Sequence, residues 1–553
     1  VALGRAFWVQ AVKGPSFDAM ATQQHRQTVT IPAGRGTIYD RNGVELAIGE
    51  QATTVYADPR EVTDPRAVAV AAQELLGADP NRVYTALQDK KSHFVYLARQ
   101  ADPLKAAELK ERKLGGVGFY GEERRTYPQR NVASQILGYA GVDNKGLAGI
   151  ELTLEESLVG HPGSQTVVKA PDGTTLDVVA TTPEQQGRSV VLSIDHTLQA
   201  QAERVMRDTM KEWGAKAAAA VVLDPRTGEV LAMANAPGYD ANKYPQAGPG
   251  RQRNRAVTDT YEPGSTFKLV TVTAALGENA VEQGTKFNLP YEIRVADRVI
   301  HDAEERGTQW FTTREILAHS SNVGAITLAQ KLGKERLSEW IERFGFGQPT
   351  GIDFPGESQG ILLPTDMWSG STIGNVPIGQ GIAVTPLQMA SAYATIANGG
   401  ERIVPRLVQS VGGKQTKIQR TRVISEPLAK QINGMLTNVV SGGTGGNAAI
   451  PGYLVAGKTG TAEKPDPRGG YAEGKYVASF VGYVPASKPR FVVLVMVDEP
   501  RGAIFGGVVA APAFREIASF ALQYYEIAPD APVRKPETDG ALRTAAAAPT
   551  SRD

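Results

Sequence analysis

The chain has no cysteine in 553 residues. This excludes disulfides, thiolate metal sites and a cysteine nucleophile, and it fits a bacterial extracytoplasmic protein that avoids unplanned oxidation. Histidine is scarce: His25, His93, His161, His196, His301 and His319 are all there are. No two have metal-ligand spacing and none sits in a serine-triad motif, so Ser-His-Asp chemistry is disfavoured. An excess of one charge is missing too. With 59 Lys+Arg against 58 Asp+Glu the net charge is +1, which gives no electrostatic footprint for nucleic acid. Long apolar runs are also lacking. The best, Ala217 to Leu223 and Phe491 to Val497, fall well short of the roughly 20 residues a membrane span needs. The opening Val1 to Gln10 sets Phe7 and Trp8 beside Arg5. It reads either as the outer edge of a membrane helix or as an ordinary amphipathic helix.

What is present describes a folded enzyme. Composition is 41% hydrophobic and 21% charged, and the length implies two or more domains. The counts of 59 Gly and 34 Pro imply many turns. In the first half, Thr37 to Tyr39 and Val44 to Ile48 flank Asp40-Arg41-Asn42-Gly43, a hairpin signal. Amphipathic helices are expected over Asp64 to Leu76, Asn81 to Leu87 and Pro103 to Lys113, and a hairpin around Asp172-Gly173. Nucleophiles, bases and ligands are not concentrated there. This half reads as an elongated α+β support, ending at the polar join Thr181 to Gly187.

The second half reads as a mixed α/β sandwich with an antiparallel sheet. Val190 to Ile194 is a strand, and Asp195 or Thr197 caps a helix over Leu198 to Lys211. Ala218 to Asp224 and Glu229 to Ala234 form a buried hairpin around Pro225-Arg226-Thr227-Gly228. Glu262-Pro263-Gly264-Ser265-Thr266-Phe267-Lys268 then places a serine and a lysine three residues apart. A helix beginning at Ser265 and ending near Gly277 puts both on one face. A serine hydroxyl needs a neighbouring base, and a lysine serves only if its pKa falls well below about 10.4.

Further on, Thr312 and Glu315 form a capping box, and that helix stops near His319. Ser320-Ser321-Asn322 then connects to a helix ending at Leu332. Alone, this tripeptide reads as helix capping by Ser321 or Asn322. Thr385 to Gln388 gives a second capping box. Lys458-Thr459-Gly460-Thr461 lies on a strand whose expected sheet neighbours are Glu229 to Ala234 and Phe491 to Val497.

Each motif is weak by itself. Together Ser265-x-x-Lys268, Ser320-x-Asn322 and Lys458-Thr459-Gly460, in this order, resemble the triple shared by penicillin-binding proteins and class A β-lactamases. Arg35 to Gly43, Arg125-Thr126-Tyr127-Pro128, Gly149-Ile150-Glu151 and Gly379-Gln380-Gly381 extend the likeness to class B penicillin-binding proteins. The likeness covers nearly everything from Gln27 to Tyr525, and is strongest to the division-specific FtsI type (penicillin-binding protein 3).

That resemblance implies a fold: a penicilloyl-serine transferase, β-lactamase-like α/β domain with a mixed antiparallel sheet flanked by helices, on an elongated N-terminal α+β pedestal. The domains would be 1–26, a juxtamembrane remnant; 27–187, the pedestal; 188–528, the transpeptidase domain; and 529–553, a disordered Ala/Pro/Thr-rich tail. It implies a peptidoglycan D,D-transpeptidase of septal wall synthesis. Ser265 would be the nucleophile, Lys268 its base, Ser320 a proton relay and Asn322 a holder of the donor amide. Lys458 would supply positive charge, lowering the pKa of Lys268 together with desolvation. Thr459, Gly460 and Thr461 would bind the substrate, with the backbone N–H groups of Ser265 and Thr461 as oxyanion hole. Neither metal nor organic cofactor is implied. The partners would be stem peptides, β-lactams and divisome membrane proteins including a glycosyltransferase, on the outer face of the cytoplasmic membrane with a single-pass anchor. The rival readings are a serine β-lactamase, a D,D-carboxypeptidase, an elongation-type transpeptidase and a non-catalytic divisome scaffold. A class A glutamate-asparagine motif between Asn322 and Lys458 is not seen, and a long N-terminal half has no use in a β-lactamase.

Overall fold

The structure, a computed structural model, describes residues 26–169 and 175–532. The Val1 to Gln10 stretch, the Asp172-Gly173 turn and most of the tail lie outside these residues.

The chain begins with β1 (Arg26–Ile31), β2 (Ile38–Tyr39) and β3 (Glu45–Ala57), followed by α1 (Pro65–Leu76) and α2 (Pro80–Gln88). Then come β4 (Val95–Ala101), α3 (Pro103–Glu111) and β5 (Val117–Thr126). The three helices open alike. Asp64, Asp79 and Asp102 each accept two backbone N–H groups, with proline in the first turn. They cover one face of the sheet through Val68, Val83 and Leu109, packed on Val55 and Leu97. Strand β3 runs nine residues past the expected Ile48, because β5 pairs along its whole polar middle. Strands β6 (Gly163–Lys169) and β7 (Thr175–Thr182) join β1 in an antiparallel sheet.

Three sequence-distant motifs meet in this half. The buried Glu151 carboxylate accepts from Arg35 Nε at 2.7 Å and Arg125 Nε at 2.6 Å, and Tyr127 OH donates to it at 3.3 Å. A buried carboxylate is stable only when paired in this way.

The second half continues with β8 (Val190–Leu192), α4 (His196–Glu212), β9 (Ala217–Leu223) and β10 (Val230–Ala236). A 3-10 turn, Gly264–Phe267, leads into α5 (Lys268–Gly277). Two nested hairpins follow: β11 (Lys286–Leu289) pairs with β14 (Gln309–Thr312), and between them β12 (Glu292–Val295) pairs with β13 (Arg298–His301). Next are α6 (Thr313–Ala318), α7 (Asn322–Leu332), α8 (Pro386–Ala397), β15 (Val408–Val411) and α9 (Glu426–Gly442). The chain closes with β16 (Ala456–Pro465), β17 (Tyr471–Val484), β18 (Phe491–Asp498), α10 (Gly506–Val509) and α11 (Ala511–Tyr524).

The central sheet has the order β10-β9-β18-β17-β16, every pair antiparallel. Helices α4 and α11 pack on one face through Leu198, Met206, Phe514 and Ile517. Helices α5, α8 and α9 cover the other. Strands β9 and β18 read as continuous apolar runs because both faces are covered. The expected neighbours of the Lys458 strand need correction. That strand, β16, is an edge strand paired, among the described residues, with β17 alone, while β10 lies at the opposite edge and β18 is separated from it by β17. The start of β17, Tyr471-Ala472-Glu473-Gly474-Lys475, lacks an apolar pattern because it forms an exposed extension.

The two halves are not separate cores. Strand β8 pairs in parallel with β2 and antiparallel with β15, so one sheet crosses the join. One apolar cluster contains Ile38, Leu46 and Tyr127 together with Phe267 and Tyr483. The Asp40 turn is anchored on α4: Asp40 Oδ2 lies 2.9 Å from His196 Nδ1, and Asn42 Nδ2 donates to Asp195 at 3.1 Å. The hairpin motif Asp40 to Gly43 therefore works as a tie between the halves.

Candidate active site

The expected helix start at Ser265 is a correction of detail. Gly264 to Phe267 form a 3-10 turn, and the α-helix begins at Lys268. The tighter turn suits the motif better. With three residues per turn, side chains at i and i+3 eclipse, and Lys268 Nζ donates to Ser265 Oγ at 3.1 Å. The turn is wedged between two backbones. Gly264 has φ +55° and donates its N–H to Gly379 O at 3.0 Å. A Cβ at Gly264 would lie 2.7 Å from Thr461 O, and one at Gly379 would lie 2.1 Å from Gly264 O. Only glycine permits this approach. Gly460 serves the same packing from the strand side: a Cβ there would meet Ser479 Oγ at 2.4 Å and Pro263 O at 2.9 Å.

Lys268 is fully buried. Besides Ser265 Oγ, its Nζ faces the Ser320 carbonyl, Ser320 Oγ at 3.3 Å and Asn322 Oδ1 at 2.7 Å. A neutral amine keeps two N–H donors and one lone pair. The Ser320 carbonyl and Asn322 Oδ1 can take the donors, leaving the lone pair for the Ser265 hydroxyl proton. Burial pushes the pKa of Lys268 down to about 7, against the opposing charge of Asp302. Lys458 is also fully buried and held well below the usual lysine range, by burial first and by the charge of Lys268 second. For Lys268, burial is therefore the leading cause, and the neighbouring cation expresses itself on Lys458.

Ser320 bridges the lysines. Its Oγ accepts from Lys458 Nζ at 2.9 Å and faces Lys268 Nζ on the other side. Its backbone is left-handed at φ +60°, a strained conformation for a residue with a side chain. The tight α6-α7 connection imposes it. The capping box at Thr312 and Glu315 holds α6, and Ser321 caps α7 by accepting from Gly324 N at 2.9 Å. So Ser321 performs the capping, and Ser320 and Asn322 are released into the cleft. Asn322 stands beside the lysine: Oδ1 accepts from Lys268, while Nδ2 donates to His301 O at 2.9 Å.

On β16, the Thr459 hydroxyl pairs with Thr444 Oγ1 at 3.0 Å and lies 3.3 Å from Lys458 Nζ. Thr461 Oγ1 accepts from Gly506 N at 3.1 Å, so its own proton is free to donate. Two neighbours were not singled out from sequence. Buried Glu262, next to the turn, accepts from Gly381 N at 2.9 Å and Tyr471 OH at 3.1 Å, and burial raises its pKa. Asp302 accepts from Asn322 N at 2.6 Å, Val323 N at 3.0 Å and Ser321 OH at 3.0 Å. Neither has a motif of its own. For the first, its place directly before Pro263-Gly264-Ser265 was the available sign, and the second arrives from a hairpin 18 residues before Ser320.

The structure thus gathers Ser265, Lys268, Ser320, Asn322, Lys458, Thr459, Gly460 and Thr461 into one place. A serine beside a buried lysine of lowered pKa, linked through a second serine to a second buried lysine, can form and break an acyl-serine bond.

Comparison with known proteins agrees. The penicillin binding protein transpeptidase domain matches residues 218–519, and the penicillin-binding protein dimerisation domain matches residues 30–192. Stage V sporulation protein D of Bacillus subtilis is 36% identical over 523 residues, covering 92% of this chain and 81% of that protein. Peptidoglycan D,D-transpeptidase FtsI of Escherichia coli is 34% identical over 538 residues, covering 96% and 90%. The crystal structure of penicillin binding protein 3 from Mycobacterium tuberculosis complexed with aztreonam superposes with a TM-score of 0.70 at 31% identity, covering 91% of this chain and 99% of that one. With both domains matched and the triple of motifs assembled around Ser265, this chain belongs to the penicillin-binding protein transpeptidase family, in its FtsI-type class B branch.

Proposed function

We propose that the protein is a peptidoglycan D,D-transpeptidase that works through an acyl-enzyme on Ser265 in septal wall synthesis, and that β-lactams acylate the same serine. The observation that carries this is the continuous line Ser265 Oγ, Lys268 Nζ, Ser320 Oγ, Lys458 Nζ, each link 3.3 Å or shorter.

Neutral Lys268 takes the Ser265 proton as Oγ attacks the penultimate D-Ala carbonyl of a donor stem peptide. The carbonyl π electrons move to oxygen, and the backbone N–H groups of Ser265 and Thr461 receive the oxyanion. Ser320 passes a proton from the lysine pair to the leaving D-Ala nitrogen, and the C–N bond breaks. The Thr461 hydroxyl and the Lys458 charge hold the terminal carboxylate, and an arriving anion favours the protonated form of Lys458. An amine from a second stem peptide then attacks the ester carbonyl and gives up a proton to neutral Lys268, the ester C–O bond breaks, and Lys268 returns that proton to Ser265 Oγ. Tyr471 at the tip of the β16-β17 extension donates to Glu262, which directly precedes the Pro263-Gly264-Ser265 turn.

The N-terminal half would serve as a pedestal with residues 27–187 as its span, continuous with the catalytic half (188–528) through the β2-β8 pairing. Membrane anchoring, and docking to divisome proteins including a glycosyltransferase, belong to the same proposal. They rest on kinship with FtsI.

A thioester donor offered with a D-amino acid acceptor tests the reading. The acceptor is expected in the product, and Ser265→Ala is expected to yield none. Hydrolysis without transfer would make the protein a carboxypeptidase instead.

A further inference from the structure

The Ser320-Ser321-Asn322 connection is held from outside its own helices. Asp302 closes the inner hairpin β12-β13, and it is buried. Its Oδ1 accepts from Asn322 N at 2.6 Å and Val323 N at 3.0 Å, and Ser321 OH lies 3.0–3.1 Å from both oxygens. The preceding residue completes the grip: His301 O accepts from Asn322 Nδ2 at 2.9 Å. With Nδ2 fixed there, Asn322 Oδ1 has one direction left, toward Lys268 Nζ. The hairpin residues are in turn braced. Arg306 Nη2 lies 2.5 Å from Asp302 Oδ2, and Arg306 Nη1 and Nη2 also donate to Leu289 O and Pro290 O. His301 Nδ1 is 2.8 Å from Asp302 O, and Asp302 N donates to Tyr291 O.

The charges around this point are few. Lys268 and Lys458 face one another across Ser320, and Asp302 is the anion behind Asn322, with Arg306 on its far side. A carboxylate at the N-terminus of α7 is also favoured by the helix dipole.

We propose that Asp302 is a positioning residue for the acyl-transfer reaction, fixing Ser321 and Asn322 against Lys268 and placing a negative charge behind Lys268. It deepens the reading that Lys268 is the base for Ser265, and rests on it. The charge has a consequence that hydrogen bonding alone lacks. An anion near Lys268 favours its protonated form. Lys268 acts only when neutral, so acylation rises with pH through the pKa of Lys268. Removing the Asp302 charge moves that acid limb to lower pH. Removing the Arg306 charge leaves Asp302 uncompensated and moves it to higher pH.

The experiment is the second-order rate of acylation of the whole chain by a fluorescent penicillin, from pH 5 to 9, for wild type, Asp302→Asn and Arg306→Gln. Asp302→Asn is expected to shift the acid limb down by about half a pH unit or more, with a several-fold slower plateau. Arg306→Gln is expected to shift it the other way. Acid limbs coincident with wild type in both variants would overturn the proposal. If Asp302→Asn does not fold, Arg306→Gln decides alone: an upward shift supports the proposal and no shift overturns it. A wild type that acylates at Ser265 while both variants share its profile removes only the Asp302 assignment. A wild type that does not acylate there removes the Lys268 reading itself.

Discussion

Lys268→Arg is expected to slow acylation of the protein by a β-lactam by roughly 10²- to 10⁴-fold, the range a positioned general base contributes. Arginine retains the cation and the reach but cannot give up its proton in the working pH range. If Lys268 only supplied positive charge, the variant would keep most of its rate. The base reading predicts a large loss instead, and it is supported by the closeness of Nζ to Ser265 Oγ and by the burial that holds it at a pKa of about 7. The sign of the pH dependence follows. Below that pKa Lys268 is protonated and the Ser265 proton has no acceptor, so wild-type acylation falls on the acid side with a midpoint near 7. Stopped-flow or gel-based labelling with a fluorescent penicillin measures both quantities. A Lys268→Arg rate within tenfold of wild type would place the base elsewhere.

Gly379→Ala is the second large effect, and it tests the backbone rather than the side chains. Gly379 has φ +80°, and its new Cβ would sit 2.1 Å from Gly264 O. The contact is with backbone, so no side-chain rotation relieves it. Overpacking of this kind costs about 1–3 kcal/mol, and the left-handed conformation adds about 1–2 kcal/mol for a residue with a Cβ. The turn carrying Ser265 would have to shift, and a displacement of about 1 Å at a reacting group costs on the order of 100-fold in rate. Both losses are expected together, by denaturant unfolding and by acylation rate. Gly381→Ala is the control. Its φ is +70°, but its Cβ would meet nothing nearer than Asn375 Cβ at 3.8 Å. That variant is expected to show the conformational cost alone and to acylate at close to the wild-type rate.

The elements that sequence made legible were those written in local chemistry. The three aspartate-capped helices, the capping boxes at Thr312 and Thr385 and the buried hairpin of β9 and β10 fall where side-chain pattern and cap residues put them. The site was legible as three short motifs because each occupies a turn, a helix connection or an edge strand whose local geometry its own residues dictate. What sequence did not show is long-range. Sheet order was misjudged because β17 begins with a polar, solvated extension that hides its strand pattern. The crossing of β8 between β2 and β15 depends on pairing across residues far apart in the chain. Asp302 and Glu262 were missed for a similar reason: an acidic residue announces nothing until the fold brings a helix N-terminus or a hairpin tip against it.

Ser265 is the residue expected to become acylated. Incubation of the whole chain with benzylpenicillin, then intact-mass and peptide mass spectrometry, tests it most directly. One penicilloyl adduct is expected, lasting through the measurement, on the peptide containing Ser265, and none in Ser265→Ala. An adduct on another serine, or its persistence in Ser265→Ala, would contradict the assignment.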